Sequence, residues 1–207
     1  MPPLDPALDA AVERHWRDAC AAHRLFNGPV FSADHVSAST VDGHWTEYRR
    51  VVAQIRDPAL AAQLRIRSLA VCGVVLGPDG VVLGRREARA AYQPGLWQLA
   101  PAGSVDPGSV QRGSVDLHRA LLAELQEELG LTEADASVGD PVCFVPHPTG
   151  VLDLCFRLHT ALDAPALRAA HAAKGDGEYD ALAILPVAGA LRLHPLSPAS
   201  RAVLGCL

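Results

Sequence analysis

Residues 123–131 read AELQEELGL. Glu124, Glu127 and Glu128 stand within five residues, and Gly130 follows them. Three and four residues apart are neighbours on a helix, so Glu124 faces both other carboxylates, and each like-charge pair costs roughly 0.2–0.5 kcal/mol. A helix C-terminus also carries partial negative charge, which adds about 0.3–1 kcal/mol per carboxylate. Gly130 has the place of the left-handed residue that closes a helix. Such a cluster has a physical purpose if a cation sits on it; otherwise it is a solvated acidic face.

The residues before it complete the helix. DLHRALLAELQEEL carries Leu117, Leu121, Leu125 and Leu129 every four residues, an apolar stripe. Ser114 is the expected N-cap. Glu124 and Glu128 fall at the edge of the stripe, where core meets solvent. Upstream, SLAVCGVVLGPDGVVLGRR reads as two strands joined by the turn GPDG, and GLWQLAPAG as a third strand running into a loop. SVDPGSVQRGS reads as a flexible connection. Downstream, SVGDPVCFV and VLDLCFRLHTA are strands, DAPALRAAHAA a helix, DALAILPV a strand and SPASRAVLGCL a last helix. Hairpins mixed with interleaved helices predict an α/β sandwich with a mixed sheet.

The first third differs. DPALDAAVERHWRDACAAH predicts an amphipathic helix with Asp5 as N-cap and Pro6 at its first position. NGPVFSADHVSAST predicts one or two strands, and HWTEYRRVVAQI and DPALAAQL predict short helices. No chemical motif lies here. Residues 1–66 are expected to form an N-terminal α+β extension covering part of the domain at 67–207.

The whole chain sets limits. Its 207 residues suffice for one substantial domain with an extension. The net charge of −5 offers no footprint for nucleic acid or an anionic membrane. No apolar run approaches a membrane span. MPPLDPALDA has no signal-peptide core, so a cytoplasmic location is expected. Cys20, Cys72, Cys143, Cys155 and Cys206 show neither CxxC nor zinc spacing and read as buried thiols of a reducing compartment.

PAG at 101–103, followed by a helix ending xEUxEExGU (U apolar), resembles the Nudix hydrolases, whose signature is Gx5Ex7REUxEExGU. The resemblance covers roughly residues 67–190, including the hairpin that ends in GRR. Its tail is intact in Glu124, Leu125, Glu127, Glu128, Gly130 and Leu131. Its head departs: Ala123 replaces the Arg, Val115 the early Glu and Ser109 the first Gly. If Gly103 is the first Gly, the loop is about six residues longer than the motif. In the family the lost Arg helps hold the loop on the helix; Arg119 or Asp116 could compensate. The resemblance implies a Nudix-type α/β/α sandwich.

It also implies hydrolysis of a nucleoside diphosphate derivative with Mg²⁺ or Mn²⁺. Hard cations take oxygen ligands. The implied set is Glu124, Glu127 and Glu128 with a backbone carbonyl at Ala102 or Gly103. Glu178, in GDGEYD before a late strand, is either a further acidic contributor or a solvent-exposed loop residue. Arg85 and Arg86 either hold substrate phosphates, which guanidinium matches, or are surface charges. LFNGPVF and EYRR, with the replaced Arg and the enlarged loop, resemble a divergent branch acting on UDP-sugars. UDP-glucose or UDP-galactose, giving UMP and a sugar 1-phosphate, is the substrate this implies. ADP-ribose, CoA or another nucleotide is the alternative, as is a domain that binds nucleotides without cleaving them. The expected partner is a small-molecule nucleotide, with neither nucleic acid nor membrane, and a homodimer is compatible. Trp97, Tyr92, Phe144 and Phe156 serve equally as base-stacking or core residues.

Overall fold

The computed structural model describes residues 3–37 and 40–207. In chain order the elements are α1 (Pro6–Ala22), β1 (Pro29–Val36), β2 (Val41–Glu47), α2 (Tyr48–Arg56), a 3₁₀ turn (Pro58–Leu60) leading into α3 (Ala61–Leu64), β3 (Leu69–Gly77) and β4 (Gly80–Arg86). Then come β5 (Trp97–Leu99), β6 (Ala102–Ser104), β7 (Val110–Gln111), β8 (Ser114–Val115), α4 (Leu117–Leu129), β9 (Ala136–Pro146) and β10 (Leu152–Thr160). The chain ends with α5 (Ala164–Lys174), β11 (Tyr179–Leu185), α6 (Val187–Ala190) and α7 (Pro198–Leu204). It divides into two compact units: Met1–Ala70 with Ser104–Val115 and Pro146–Leu152, and the remainder.

In the first unit, Asp5 caps α1 by accepting from Ala7 N–H, with Pro6 opening the helix. Leu8 and Val12 of α1 pack against Ala53 of α2 and Leu60. β1 and β2 form an antiparallel ribbon. HWTE does not start a helix as expected. His44, Trp45 and Thr46 pair with Ser32, Phe31 and Val30, and the helix begins only at Tyr48. Aromatic and β-branched residues favour a paired strand once a partner is present.

The expected flexible connection is also ordered within this unit. Phe31 N–H donates to Val105 C=O at 2.9 Å, and Val105 N–H to Leu69 C=O at 3.0 Å. β7 and β8 pair across a two-residue turn, Arg112–Gly113, at φ 52° and 84°. Two positive φ values suit the twist of a tight hairpin. Ser114 therefore lies in a strand, and the cap of α4 is Asp116, whose carboxylate accepts from Arg119 N–H at 3.0 Å.

The second unit is built on the central mixed sheet, in the order β11-β4-β3-β10-β9, with β5 on β4 and β6 on β3. On one face Cys72, Val74, Val81, Leu83, Leu99 and Cys155 pack with Ala190 of α6 and Val203 and Leu204 of α7. Ser200 Oγ accepts from Leu99 N–H at 2.8 Å, tying α7 to β5. In α4, Leu121, Leu125 and Leu129 are buried as the stripe requires. Each contributes about 1.5–3 kcal/mol of apolar burial. The expected α/β fold with a mixed sheet is thus the one observed. The cysteines differ from expectation: Cys72 and Cys155 are buried, Cys143 half-buried, and Cys20 and Cys206 exposed.

β11 carries an irregularity that matters below. Tyr179 pairs with Arg86 and Ala181 with Arg85, so Asp180 is an extra residue, a β-bulge. Tyr179 is consequently buried while Asp180 is exposed.

Candidate active site

α4 closes at Gly130, which takes φ 68° and donates to Gln126 C=O. The last turns deliver the three carboxylates to different surroundings. Glu127 is exposed, and its backbone carbonyl accepts from Asp176 N–H at 2.9 Å. Glu124 is half-buried and lies over Gly103: a Cβ on Gly103 would stand 2.0 Å from Glu124 Oε1. Only a residue without a side chain admits that carboxylate. Glu128 does not sit at the boundary of core and solvent as the stripe suggested; it is 1% exposed.

Both hydrogen bonds to Glu128 fall on one oxygen. Oε2 accepts from Ala102 N–H at 2.8 Å and from the Tyr179 hydroxyl at 3.0 Å. Gln98 Nε2 in turn donates to the Tyr179 hydroxyl at 2.9 Å. Oε1 is buried without a hydrogen-bond partner. Burial pushes the Glu128 carboxyl well above its ordinary range, and the charges of Glu178 and Glu124 push the same way. The bonds from Ala102 and Tyr179 oppose this in part. A buried carboxylate with a bare oxygen costs free energy that a cation would offset.

Glu178 immediately precedes β11, with its side chain ion-paired to Arg86 Nη1 at 2.5 Å. Its N–H donates to Asp176 Oδ1 at 2.9 Å. Burial raises its pKa; Arg86 opposes, while Asp176 and Glu127 add to the rise. Glu178 is thus half-buried and ion-paired, and its charge acts on Glu128. Arg86 Nε is buried and without a hydrogen-bond partner. Arg85 points elsewhere: it pairs with Asp180 at 2.6 Å and covers the Trp97 ring at 5.7 Å. The two arginines, adjacent in sequence, thus have different partners, as alternation along β4 requires.

The donor set of this cluster is hard oxygen throughout, which fits Mg²⁺ or Mn²⁺. The bare Oε1 of Glu128 and the nearby Glu124 carboxylate are the groups whose surroundings most favour a cation. Ala102 meets Glu128 through its N–H, which leaves its carbonyl out of that contact. Among the described residues no three His, Cys, Asp or Glu side chains converge into a group that could hold an ion unaided. Two carboxylates with water are a usual Mg²⁺ arrangement.

Sequence reasoning passed over Tyr179 and Gln98. Gln98 is a polar residue between Trp97 and Leu99 of an apolar strand, which is the signal that singles it out; Tyr179, between Glu178 and Asp180, carries no such signal. Phe156 is core, 2% exposed, while Trp97, Tyr92 and Phe144 are half-buried.

Comparison with known proteins bears on the fold and the family. A family model described as the NUDIX domain matches residues 66–202. No curated protein shows a significant match to the sequence. Among solved structures, DR0079 from Deinococcus radiodurans aligns with TM-score 0.55 and 13% identity over 86% of this chain and 98% of that one. The NUDIX domain of Shewanella oneidensis NrtR, complexed with ADP ribose, aligns with TM-score 0.51 and 17% identity, covering 72% and 94%. The MutT protein from Methanosarcina mazei Go1 aligns with TM-score 0.50 and 20% identity, covering 67% and 91%. These likenesses concern the fold; the family model, spanning well over half of the chain, gives the membership. The chain belongs to the Nudix family, hydrolases acting on phosphoric anhydride bonds.

Proposed function

We propose that this chain is a divalent-metal-dependent diphosphatase of nucleoside diphosphate sugars, cleaving UDP-glucose or UDP-galactose to UMP and sugar 1-phosphate. One observation carries the metal dependence: Glu128, almost wholly buried, keeps one oxygen bare beside a second carboxylate seated on Gly103. Glu124 and Glu128 would hold the cation, with Glu127 and backbone oxygens at Ala102 or Gly103 as further donors. When bound, the cation neutralises phosphate oxygens and lowers the pKa of a water.

The chain's own groups do the rest. Water adds to one phosphorus, the bridging P–O bond breaks, and its electron pair leaves with the other phosphate. Glu178, half-buried and ion-paired to Arg86, is the group that takes the proton from the attacking water. Arg86, paired with Glu178, has guanidinium N–H groups suited to a diphosphate. Arg85 is the second phosphate-binding candidate. Residues 1–66 act as an extension to the catalytic domain at 67–207.

The UDP-sugar choice rests on LFNGPVF, EYRR, the replaced Arg and the enlarged loop. The ADP ribose bound by the NrtR domain favours a second reading, hydrolysis of ADP-ribose. The test is a panel of UDP-glucose, ADP-ribose, CoA, diadenosine polyphosphate and dGTP, each with Mg²⁺ and then Mn²⁺, with products separated by chromatography. UMP and sugar phosphate from UDP-glucose alone support the proposal. Turnover of another member keeps the metal site and discards the branch. No turnover of any member moves the reading to a nucleotide-binding domain, with Ala123 and Val115 as the reason.

A further inference from the structure

The signature of this family places an Arg where this chain has Ala123, and an early Glu where it has Val115. The burial of Glu128 leaves a problem that such losses sharpen. A carboxylate can rotate about its last bond; a half-turn only exchanges two equivalent oxygens, but a smaller turn would aim the bare oxygen away from the cation. Something must fix the plane of the carboxylate.

We infer that Tyr179, held by Gln98, is a positioning residue that holds one oxygen of Glu128, fixes the plane of the carboxylate and so aims the other oxygen at the cation. The inference rests on the metal reading above and deepens it. Three features carry it. First, the two donors to Glu128, Ala102 N–H and the Tyr179 hydroxyl, converge on the same oxygen. Second, Tyr179 has one hydroxyl proton, and Gln98 decides where it goes. The amide Nε2 donates to the phenol oxygen, so the phenol's own proton is left to donate to Glu128. Third, the fold is shaped around the ring. The bulge at Asp180 turns Tyr179 inward. On the facing strand, a Cβ on Gly84 would stand 2.4 Å from the ring, so the glycine of GRR is the seat of the phenol. Gln98 and Tyr179 are both buried, and neither has another assigned task.

Outer partners that orient metal-binding carboxylates typically change metal affinity by about 10–100-fold when removed. Mn²⁺ affinity can be read directly from the free-ion electron paramagnetic resonance signal, without substrate. Four variants of the full chain are compared: Tyr179→Phe, Gln98→Leu, the double variant and Glu128→Gln. Tyr179→Phe should weaken Mn²⁺ binding by about tenfold or more. Gln98→Leu, which touches no carboxylate, should weaken it by less. The double variant should bind no worse than Tyr179→Phe, because Gln98 acts through the phenol. Lost packing alone would give additive effects on unfolding and none on Mn²⁺.

If Glu128→Gln loses Mn²⁺ while Tyr179→Phe binds it as tightly as the parent, the inference is overturned and the metal reading stands. If Glu128→Gln binds Mn²⁺ normally, the metal reading falls and the inference with it. Should Tyr179→Phe fail to fold, parental affinity in Gln98→Leu is enough to overturn the inference.

Discussion

Replacing Gly103 with alanine separates the site from the fold. Gly103 is not among the positive-φ glycines, so its backbone admits alanine. The new methyl would stand 2.0 Å from Glu124 Oε1, 2.1 Å from Cδ and 2.4 Å from Oε2. Ordinary contact needs about 3.5 Å, so the carboxylate must retreat by more than ~1 Å. All three clashing atoms are the tip of one half-buried side chain, which can turn. An off-rotamer side chain costs about 0.5–1.5 kcal/mol. At roughly 2–4 °C per kcal/mol for a chain of this size, the melting temperature should fall by no more than about 6 °C. The chemistry has no such latitude. A misplacement of about 1 Å in a positioned group costs on the order of 100-fold in rate, about 2.7 kcal/mol of barrier. The assay is kcat and the Mg²⁺ activation constant on the best panel substrate, beside a thermal melt in chelator. Parental kcat with parental Mg²⁺ dependence would refute the reasoning, because Glu124 would then have no task at Gly103. A collapse in melting temperature would refute the claim that only the side-chain tip must move.

Glu128→Gln should abolish turnover and alter the pH dependence of the metal-free fold. Burial raises this carboxyl above its ordinary 4.5, so the native state holds the proton to higher pH than the unfolded chain does. Between those two values stability falls as pH rises. Melts in chelator from about pH 5 to about pH 8 should therefore show the variant gaining on the parent; parallel curves would contradict the burial argument. Gly84→Ala pushes a methyl into the Tyr179 ring and should cost about 1–3 kcal/mol by overpacking, read by urea unfolding; an unchanged midpoint would mean the ring has another place to go. Glu178→Ala strips the partner from Arg86, whose side chain is 14% exposed, and should cost about 1–3 kcal/mol. Arg85→Ala, which breaks a pair 44% and 38% exposed, should change stability by less than about 1 kcal/mol. Equal losses in these last two would undo the distinction drawn between the arginines.

The helix that carries the carboxylates was legible because its signals are local. A four-residue leucine repeat, a closing glycine and three glutamates need no knowledge of the rest of the chain. The hairpin around GPDG was legible for the same reason. Misreadings arose where a distant partner decides. HWTE is a strand because residues 30–32 lie beside it. Ser114 loses the cap to Asp116 because Arg112–Gly113 turns the chain into a hairpin first. SVDPGSVQRGS looks flexible in composition but is anchored by Phe31 and Leu69. At the site, the identity of the glutamates was readable and their burial was not. Periodicity put Glu128 at a boundary, whereas β6 and Tyr179 enclose it. Tyr179 itself was hidden by a count: without the bulge, alternation along β11 would not put both Tyr179 and its observed neighbours where they are.

That count makes strand β11 tolerant of one change of length. Side chains of an extended strand face alternate sides, yet Tyr179 and Leu182, three residues apart, share the face of Gly84 because the ladder passes over Asp180. Deleting Asp180 would turn the bulge into a regular ladder with Tyr179 still opposite Arg86. The phenol would keep its place, and the loss would be the pair between Asp180 and Arg85. The bulge is therefore the point where this strand can lose one residue without turning the ring from Glu128.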